Sequence, residues 1–181
     1  MTPIIAKNYI THQECRVLVA WAETMHPFLT PNPVGKERLF AEVRTLPSVP
    51  PVYTEVRKRL QFQLRLGDSA REPEFGWFLG SIGDGGVVHP HRDLAPSGFR
   101  HLRCNLFIQC PDLGGEPVIE GKQFAIEEGM LLCFYPSEQT HSSRAVVGSR
   151  RRMMCSFGYL VPPGYCLSPP SLCPSSAESI V

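Results

Sequence analysis

His91 and Asp93 lie two residues apart, and a further imidazole, His141, follows much later in the chain. If the first two lie on a strand or at its end, their side chains point to the same side, because strand side chains alternate with a period of two. Two imidazoles and one carboxylate bind one face of an Fe(II) ion and leave its other positions open. The residue types and spacing therefore predict an iron site made of His91, Asp93 and His141.

A strand predicted after a Gly-Ser turn begins with three consecutive arginines, Arg150 to Arg152. Alternation places Arg151 on one face with a row of Met, Cys and Phe side chains. A guanidinium on such a face needs an anionic partner, since an unpaired buried charge is costly, and its planar fork fits a carboxylate. We therefore predict that Arg151 binds a carboxylate ligand. If the strand is shifted by one residue, Arg151 is solvated and Arg150 and Arg152 flank the cavity.

Arg103 and Asn105 share one face of a strand predicted at residues 101–110, whose other face is apolar. Two interpretations fit this pattern. In the first, the two side chains point into a functional cavity, where they hold a carboxylate or a polar group of a substrate. In the second, they lie on a solvated outer face of the sheet.

The length and charge of the chain limit its partners. Its 181 residues suit a single domain, and 18 basic against 17 acidic residues give a formal charge of +1. This balance argues against nucleic acid or a membrane surface as a partner. The seven cysteines include no C-x-x-C pair, so neither a disulfide framework nor a zinc ribbon is indicated. We expect a cytoplasmic protein without a signal peptide.

Helical signals come first along the chain. A capping box opens a helix predicted at residues 12–25, and Pro51 opens a second helix at residues 51–66, which ends near Gly67. The Pro-rich segment between the two helices is predicted to be a loop with a short strand at residues 39–43.

Short apolar runs separated by Gly, Pro and Asp predict a mostly β core after the helices. The runs lie at residues 76–82, 86–89, 101–110, 116–119, 130–135, 144–147 and 151–160. This pattern is typical of a jelly roll, a double-stranded β-helix. We predict one domain over residues 1–162, with helical support at about 8–67 and the jelly-roll core at about 74–162. The Pro- and Ser-rich tail at residues 163–181 is predicted to be disordered or a flap over the site.

Several segments in order resemble the Fe(II)/2-oxoglutarate-dependent oxygenases, nearest to their prolyl 4-hydroxylase-like branch. They are GGVVHPHRD at residues 85–93, GGE at 114–116, EGMLLCF at 128–134 and YIT at 9–11. The spacing from His141 to Arg151 and the aromatic residue Phe157 are similar as well. The resemblance covers most of residues 8–160.

The resemblance implies that Fe(II) binds to His91, Asp93 and His141 and is chelated by 2-oxoglutarate. It implies that Arg151 pairs with the far carboxylate of this oxo-acid and that O₂ is the second co-substrate. The implied reaction hydroxylates an unactivated C–H bond of a small molecule, an amino acid or a peptide, with release of succinate and CO₂.

Three positions depart from the pattern of the branch. Ile82 stands where many members have a tyrosine that contacts the oxo-acid, and Arg103 and Asn105 stand where a Thr and an apolar residue are common. In this strand the chain is more similar to the aspartyl/asparaginyl hydroxylases. The resemblance thus implies that Arg103 and Asn105 take part in binding the oxo-acid or the substrate.

Two other functions fit parts of the sequence. His89 and His91 form an H-x-H pair, and Pro136 lies shortly before His141, as in a cupin, which would bind metal through His89, His91 and His141 without 2-oxoglutarate. A non-catalytic binding module on the same fold is the third possibility. Replacement of His89 or Asp93 separates the cupin from the oxygenase.

Overall fold

The first predicted helix is present in a computed structural model, which describes residues 2–74 and 76–168. Helix α1 (His12–Met25) begins at Thr11, whose hydroxyl accepts a hydrogen bond from the amide of Glu14. The Glu14 carboxylate in turn accepts from the Thr11 amide. This reciprocal capping satisfies two amides that have no partner within the helix.

Helix α2 (Pro51–Gln63) also forms but ends earlier than the predicted residue 66. Arg65 already adopts the left-handed conformation, with φ 53°. The Leu66 amide then donates to the carbonyl of Gln61 at 2.9 Å. This pattern is a Schellman motif, so the helix is closed by Arg65 and not by Gly67.

Most of the remaining regular structure in the described residues consists of strands. They are β1 (Ile4–Ala6), β2 (Thr30–Pro31), β3 (Gly35–Glu42), β4 (Trp77–Val88), β5 (Arg100–Gln109), β6 (Leu113–Gly114), β7 (Pro117–Ile119), β8 (Lys122–Gln123), β9 (Leu131–Phe134), β10 (His141–Ser143), β11 (Val146–Val147) and β12 (Arg152–Val161). The predicted runs at 76–82 and 86–89 form the single strand β4, and the short strands β1 and β2 were not predicted.

The strands form a major sheet and smaller sheets. The major sheet has the order β1-β9-β5-β12-β4-β3-β2, a second sheet has the order β10-β7-β8, and β11 pairs with β6. All the pairings between these strands are antiparallel. This arrangement confirms the prediction of a mostly β, double-stranded β-helix (jelly-roll) core with N-terminal helices.

Each face of the major sheet has its own hydrophobic cluster. On one face, helix residues such as Leu18 and Leu60 pack with Met153, Cys155 and Phe157 of β12. On the other face, Met154 of β12 packs in a cluster with residues of the second sheet and the other strands. Both faces of β12 are therefore buried, one against the helices and the other against the second sheet. Only side chains on the second of these faces can reach a site between the two sheets.

Leu18 provides a test of the packing between the helices and the major sheet. Its side chain is fully buried, whereas that of its neighbour Val17 is 37% exposed. We expect Leu18→Ala to lower the free energy of unfolding by about 2–5 kcal/mol, because it removes buried methyl groups and leaves a cavity. Val17→Ala is the matched control, with an expected change of about 0.5 kcal/mol or less. Urea unfolding followed by circular dichroism measures both; equal losses would contradict the packing.

The end of the chain is described only in part. Strand β12 ends at Val161, next to the predicted domain boundary at residue 162, and the Tyr165 hydroxyl donates to the Leu64 carbonyl at 2.7 Å. Most of the predicted tail, residues 169–181, lies outside the described residues, so the boundary and the tail stay predictions. None of the helices in the described part is both long enough and apolar enough to cross a membrane.

Candidate metal and oxo-acid site

The structure brings His91, Asp93 and His141 together. His91 and Asp93 follow the end of β4, and His141 opens β10. The amide of His91 donates to the carbonyl of His141 at 3.0 Å, and the amide of His141 donates back at 2.9 Å. This isolated bridge places the two imidazole rings 4.1 Å apart between centroids. One ligand atom from each of the three side chains lies within 4.8 Å of the others.

The three side chains present their ligand atoms to a common point. Oδ1 of Asp93 lies 3.3 Å from Nε2 of His91 and 3.7 Å from Nε2 of His141. Each Nδ1 faces a backbone carbonyl, at 2.7 Å from that of His89 and at 3.2 Å from that of Gln139. Such a bond fixes the ring tautomer and leaves Nε2 as the metal ligand. This donor set fits Fe(II), which two histidines and one carboxylate bind on one face.

The protonation states also suit a metal. Burial raises the pKa of the Asp93 carboxyl, but a hydrogen bond with His91 and the charge of Arg103 outweigh it and hold this pKa well below its usual range. Burial lowers the pKa of His141 to about 4, partly opposed by the charge of Asp93. An ionised carboxylate and a neutral imidazole are the forms that coordinate metal ions.

Arg103 lies in the pocket, as the first interpretation of its strand predicts, but its charge faces a metal ligand. Its Nη2 is 3.1 Å from Oδ2 of Asp93 and 3.5 Å from a carboxylate oxygen of Glu72. Asn105 also lines the pocket, and its Oδ1 accepts from the Ser156 hydroxyl at 2.8 Å. The geometry of Arg103 suits the orientation of Asp93, the kind of support that metal ligands commonly receive from neighbouring groups.

His101 also lies beside Asp93, and it was not predicted from the sequence. Its side chain is fully buried, and its Nδ1 lies 3.5 Å from Oδ2 of Asp93. Burial and the charge of Arg103 together lower the pKa of His101 to about 3, partly opposed by the charge of Asp93, so the ring is neutral. The signal in the sequence was its spacing, because His101 and Arg103 are two residues apart on β5 and share a face.

The structure corrects the predicted placement of Arg151. Arg152, only 4% exposed, lines the pocket, whereas Arg151 precedes β12 and its carbonyl accepts from the side-chain amide of Gln109. Arg150 is exposed and forms an ion pair with Glu128 at 2.5 Å. The row of Met, Cys and Phe that shares the face of Arg151 packs against the helices and not in the cavity. The alternative register therefore holds for Arg152, which faces the cavity, but not for Arg150, which is exposed.

The pocket is a half-open cavity between the major sheet and the second sheet. Its lining includes the metal group, a set of arginines and an apolar base. The arginines are Arg38, Arg103 and Arg152, and the apolar residues include Phe107, Ile119, Phe134 and Met154. Arg38 was not predicted, and nothing in its local sequence indicates that it faces a cavity. His89 is exposed and belongs to neither the lining nor the metal group.

No protein-family model and no curated protein matches the sequence, but solved structures share the fold. A viral collagen prolyl hydroxylase from Paramecium Bursaria Chlorella virus-1, solved with 2-oxoglutarate, is 14% identical over 88% of this chain and 96% of its own, with a TM-score of 0.66. A prolyl hydroxylase from Trichoplax adhaerens, in complex with a hypoxia-inducible factor peptide, is 12% identical over 87% and 82%, with a TM-score of 0.66. HygX from Streptomyces hygroscopicus, with nickel, 2-oxoglutarate and hygromycin B bound, is 12% identical over 91% and 84%, with a TM-score of 0.63. The chain has the fold of the Fe(II)/2-oxoglutarate oxygenases.

Proposed function

We propose that this protein is an Fe(II)- and 2-oxoglutarate-dependent dioxygenase. It hydroxylates an unactivated C–H bond of a small molecule, an amino acid or a peptide and releases succinate and CO₂. The observation that carries the proposal is one cavity that holds both a His-Asp-His group with ligand atoms within 4.8 Å and a buried arginine, Arg152. A metal ion and an acidic co-substrate account for both features at once.

In this function His91, Asp93 and His141 hold the iron and leave its remaining positions to the co-substrates. When bound, the iron supplies the activation of O₂ that couples decarboxylation of the oxo-acid to oxidation of the substrate. Arg152 pairs with the far carboxylate of the oxo-acid, because its planar fork can donate two parallel hydrogen bonds to it. This assignment transfers to Arg152 the role that the sequence analysis gave to Arg151.

The other pocket residues position these groups and exclude water. Arg103 orients Asp93 through its Oδ2 and leaves its Oδ1 to the metal. Phe107, Phe134 and Met154 belong to the apolar cluster that forms the base of the pocket. An apolar base lowers the local dielectric and strengthens the interaction of the arginine with a carboxylate.

The substrate class rests on two of the similar structures. One of them is complexed with a peptide and the other binds the small molecule hygromycin B. A peptide and a small molecule are therefore both candidates. Substrate-stimulated succinate formation, measured over a panel of amino acids, short peptides and small natural products, distinguishes them.

The proposal is tested with purified protein loaded with Fe(II) in the absence of oxygen. We expect 2-oxoglutarate to produce a new visible absorption band, because a chelated oxo-acid changes the electronic spectrum of the iron, and we expect succinate after oxygen is admitted. Metal-free protein is the control and should give neither signal. Iron-loaded protein whose spectrum does not change with 2-oxoglutarate, and which forms no succinate, would contradict the proposal.

A further inference from the structure

Arg38 is turned into the pocket by an irregularity in strand β3. The pairing of β3 with β4 shifts between Lys36 and Arg38, and Glu37 between them has a φ of 49°. A bulge of this kind re-aims the side chain that follows it. Arg38 pairs with Ile82 of β4, and Arg152 of β12 pairs with the same Ile82 from the other side. Residues directly opposite each other on neighbouring strands share a face, so the two arginines flank Ile82 above the cavity.

Among the described residues, these two guanidinium groups have no acidic partner in contact, whereas the third pocket arginine has two. Arg103 is paired with two carboxylates, as described above. Neither Arg38 nor Arg152 takes part in a salt bridge within the described residues. Arg38 donates to the side-chain carbonyl of Asn32 at 2.9 Å, and Arg152 donates to the carbonyl of Gly115 at 2.5 Å. Both of these acceptors are neutral, so within the described residues no carboxylate contacts either guanidinium.

The charge of Arg38 also acts on Arg152. Burial and the charge of Arg38 together lower the pKa of Arg152 to about 10, partly opposed by Glu116. Burial and the charge of Arg103 likewise lower the pKa of Arg38 to about 10, partly opposed by the charge of Asp93. Two like charges in a low-dielectric cavity destabilise the free protein unless an anion binds between them. The Nε of Arg152 is also buried, and it has no hydrogen-bond acceptor among the described residues. An anion bound beside it would supply this acceptor.

We propose that Arg38 and Arg152 together bind the far carboxylate of 2-oxoglutarate, one guanidinium to each side of it. This inference rests on the proposed function and deepens it. It also agrees with Ile82, which lies between the two arginines, is buried and apolar, and has no side-chain donor of its own. With a guanidinium on both neighbouring strands, the carboxylate needs no donor from β4 between them.

The experiment compares two oxo-acids that differ in the far carboxylate. Calorimetric titrations without oxygen measure the Kd of 2-oxoglutarate and of pyruvate for the iron-loaded protein. We expect Arg38→Met to raise the Kd of 2-oxoglutarate by about 10- to 100-fold, the effect of one lost charge-assisted hydrogen bond. The Kd of pyruvate, which has no far carboxylate, should change less than about threefold. Lys36→Met removes the same charge at an exposed position of β3 and should change neither value.

Thermal unfolding of the metal-free protein separates a binding role from a structural one. We expect Arg38→Met to keep the Tm of the free protein or to raise it, because a buried repulsion is removed. A purely structural role would lower this Tm and leave the Kd of 2-oxoglutarate unchanged, which would overturn the inference. Arg38→Lys, which keeps the charge but loses the planar fork, should give a smaller rise in the Kd and serves if the methionine variant does not fold.

The outcomes also distinguish this inference from the proposed function. If the unchanged protein binds 2-oxoglutarate and Arg152→Met weakens binding while Arg38→Met does not, the role of Arg38 alone is overturned. If Arg38→Met weakens pyruvate and 2-oxoglutarate equally, Arg38 does not act on the far carboxylate. If the unchanged iron-loaded protein does not bind 2-oxoglutarate, both the inference and the proposed function are overturned.

Discussion

We expect Asp93→Ala to abolish iron retention and succinate formation, whereas His89→Ala leaves both near the level of the unchanged protein. Asp93 supplies the anionic ligand of the three, and its Oδ1 lies 3.3 Å from Nε2 of His91 and 3.7 Å from Nε2 of His141. The loss of metal affinity should exceed about 100-fold, since removal of groups that merely support a ligand costs 10–100-fold. Iron content after dialysis and succinate formed from 2-oxoglutarate measure the two effects.

The control variants make this result specific. His89 is exposed and outside the metal group, so His89→Ala tests a change of the same kind two residues from His91. Asp93→Asn keeps an acceptor for Arg103 and should lose iron while it retains the fold, as judged by circular dichroism. A protein that keeps iron after Asp93→Ala but loses it after His89→Ala would have the metal site of a cupin instead.

The second large effect is a loss of affinity for 2-oxoglutarate when Arg152 is replaced. We expect Arg152→Met to raise the Kd of 2-oxoglutarate by about 100-fold or more. The variant loses the two hydrogen bonds between the guanidinium and the far carboxylate, and each charge-assisted bond contributes about 1.5–3 kcal/mol. Arg151→Met removes the same charge from the neighbouring residue, outside the pocket lining. The Kd of 2-oxoglutarate for this variant should stay within about threefold of the value for the unchanged protein.

Titrations of the two iron-loaded variants without oxygen provide this comparison. The free Arg152→Met protein should be as stable as the unchanged protein or more so, because an apolar side chain replaces a buried charge that no carboxylate contacts within the described residues. A normal Kd for Arg152→Met together with a raised Kd for Arg151→Met would contradict the observed register and support the placement predicted from the sequence.

The sequence by itself determines the members of the metal group and the elements around it. An extended backbone places the side chains of His91 and Asp93 on the same side, and this local geometry does not depend on contacts with distant parts of the chain. The capping box at Thr11 is equally local, because its donors and acceptors lie within one helical turn. The alternation of apolar runs and turn residues identifies the jelly roll because each signal spans only a few residues.

Only the tertiary structure decides which arginines face the cavity. Every residue of β12 is buried, because helices cover one face of the major sheet and the second sheet covers the other. Alternation then separates two faces but does not say which one lines the cavity, and the apolar row beside Arg151 lies on the side of the helices. The inward turn of Arg38 follows from a bulge that forms where β3 pairs with β4. Pairing between distant strands, and not local residue type, therefore determines the charge of the pocket.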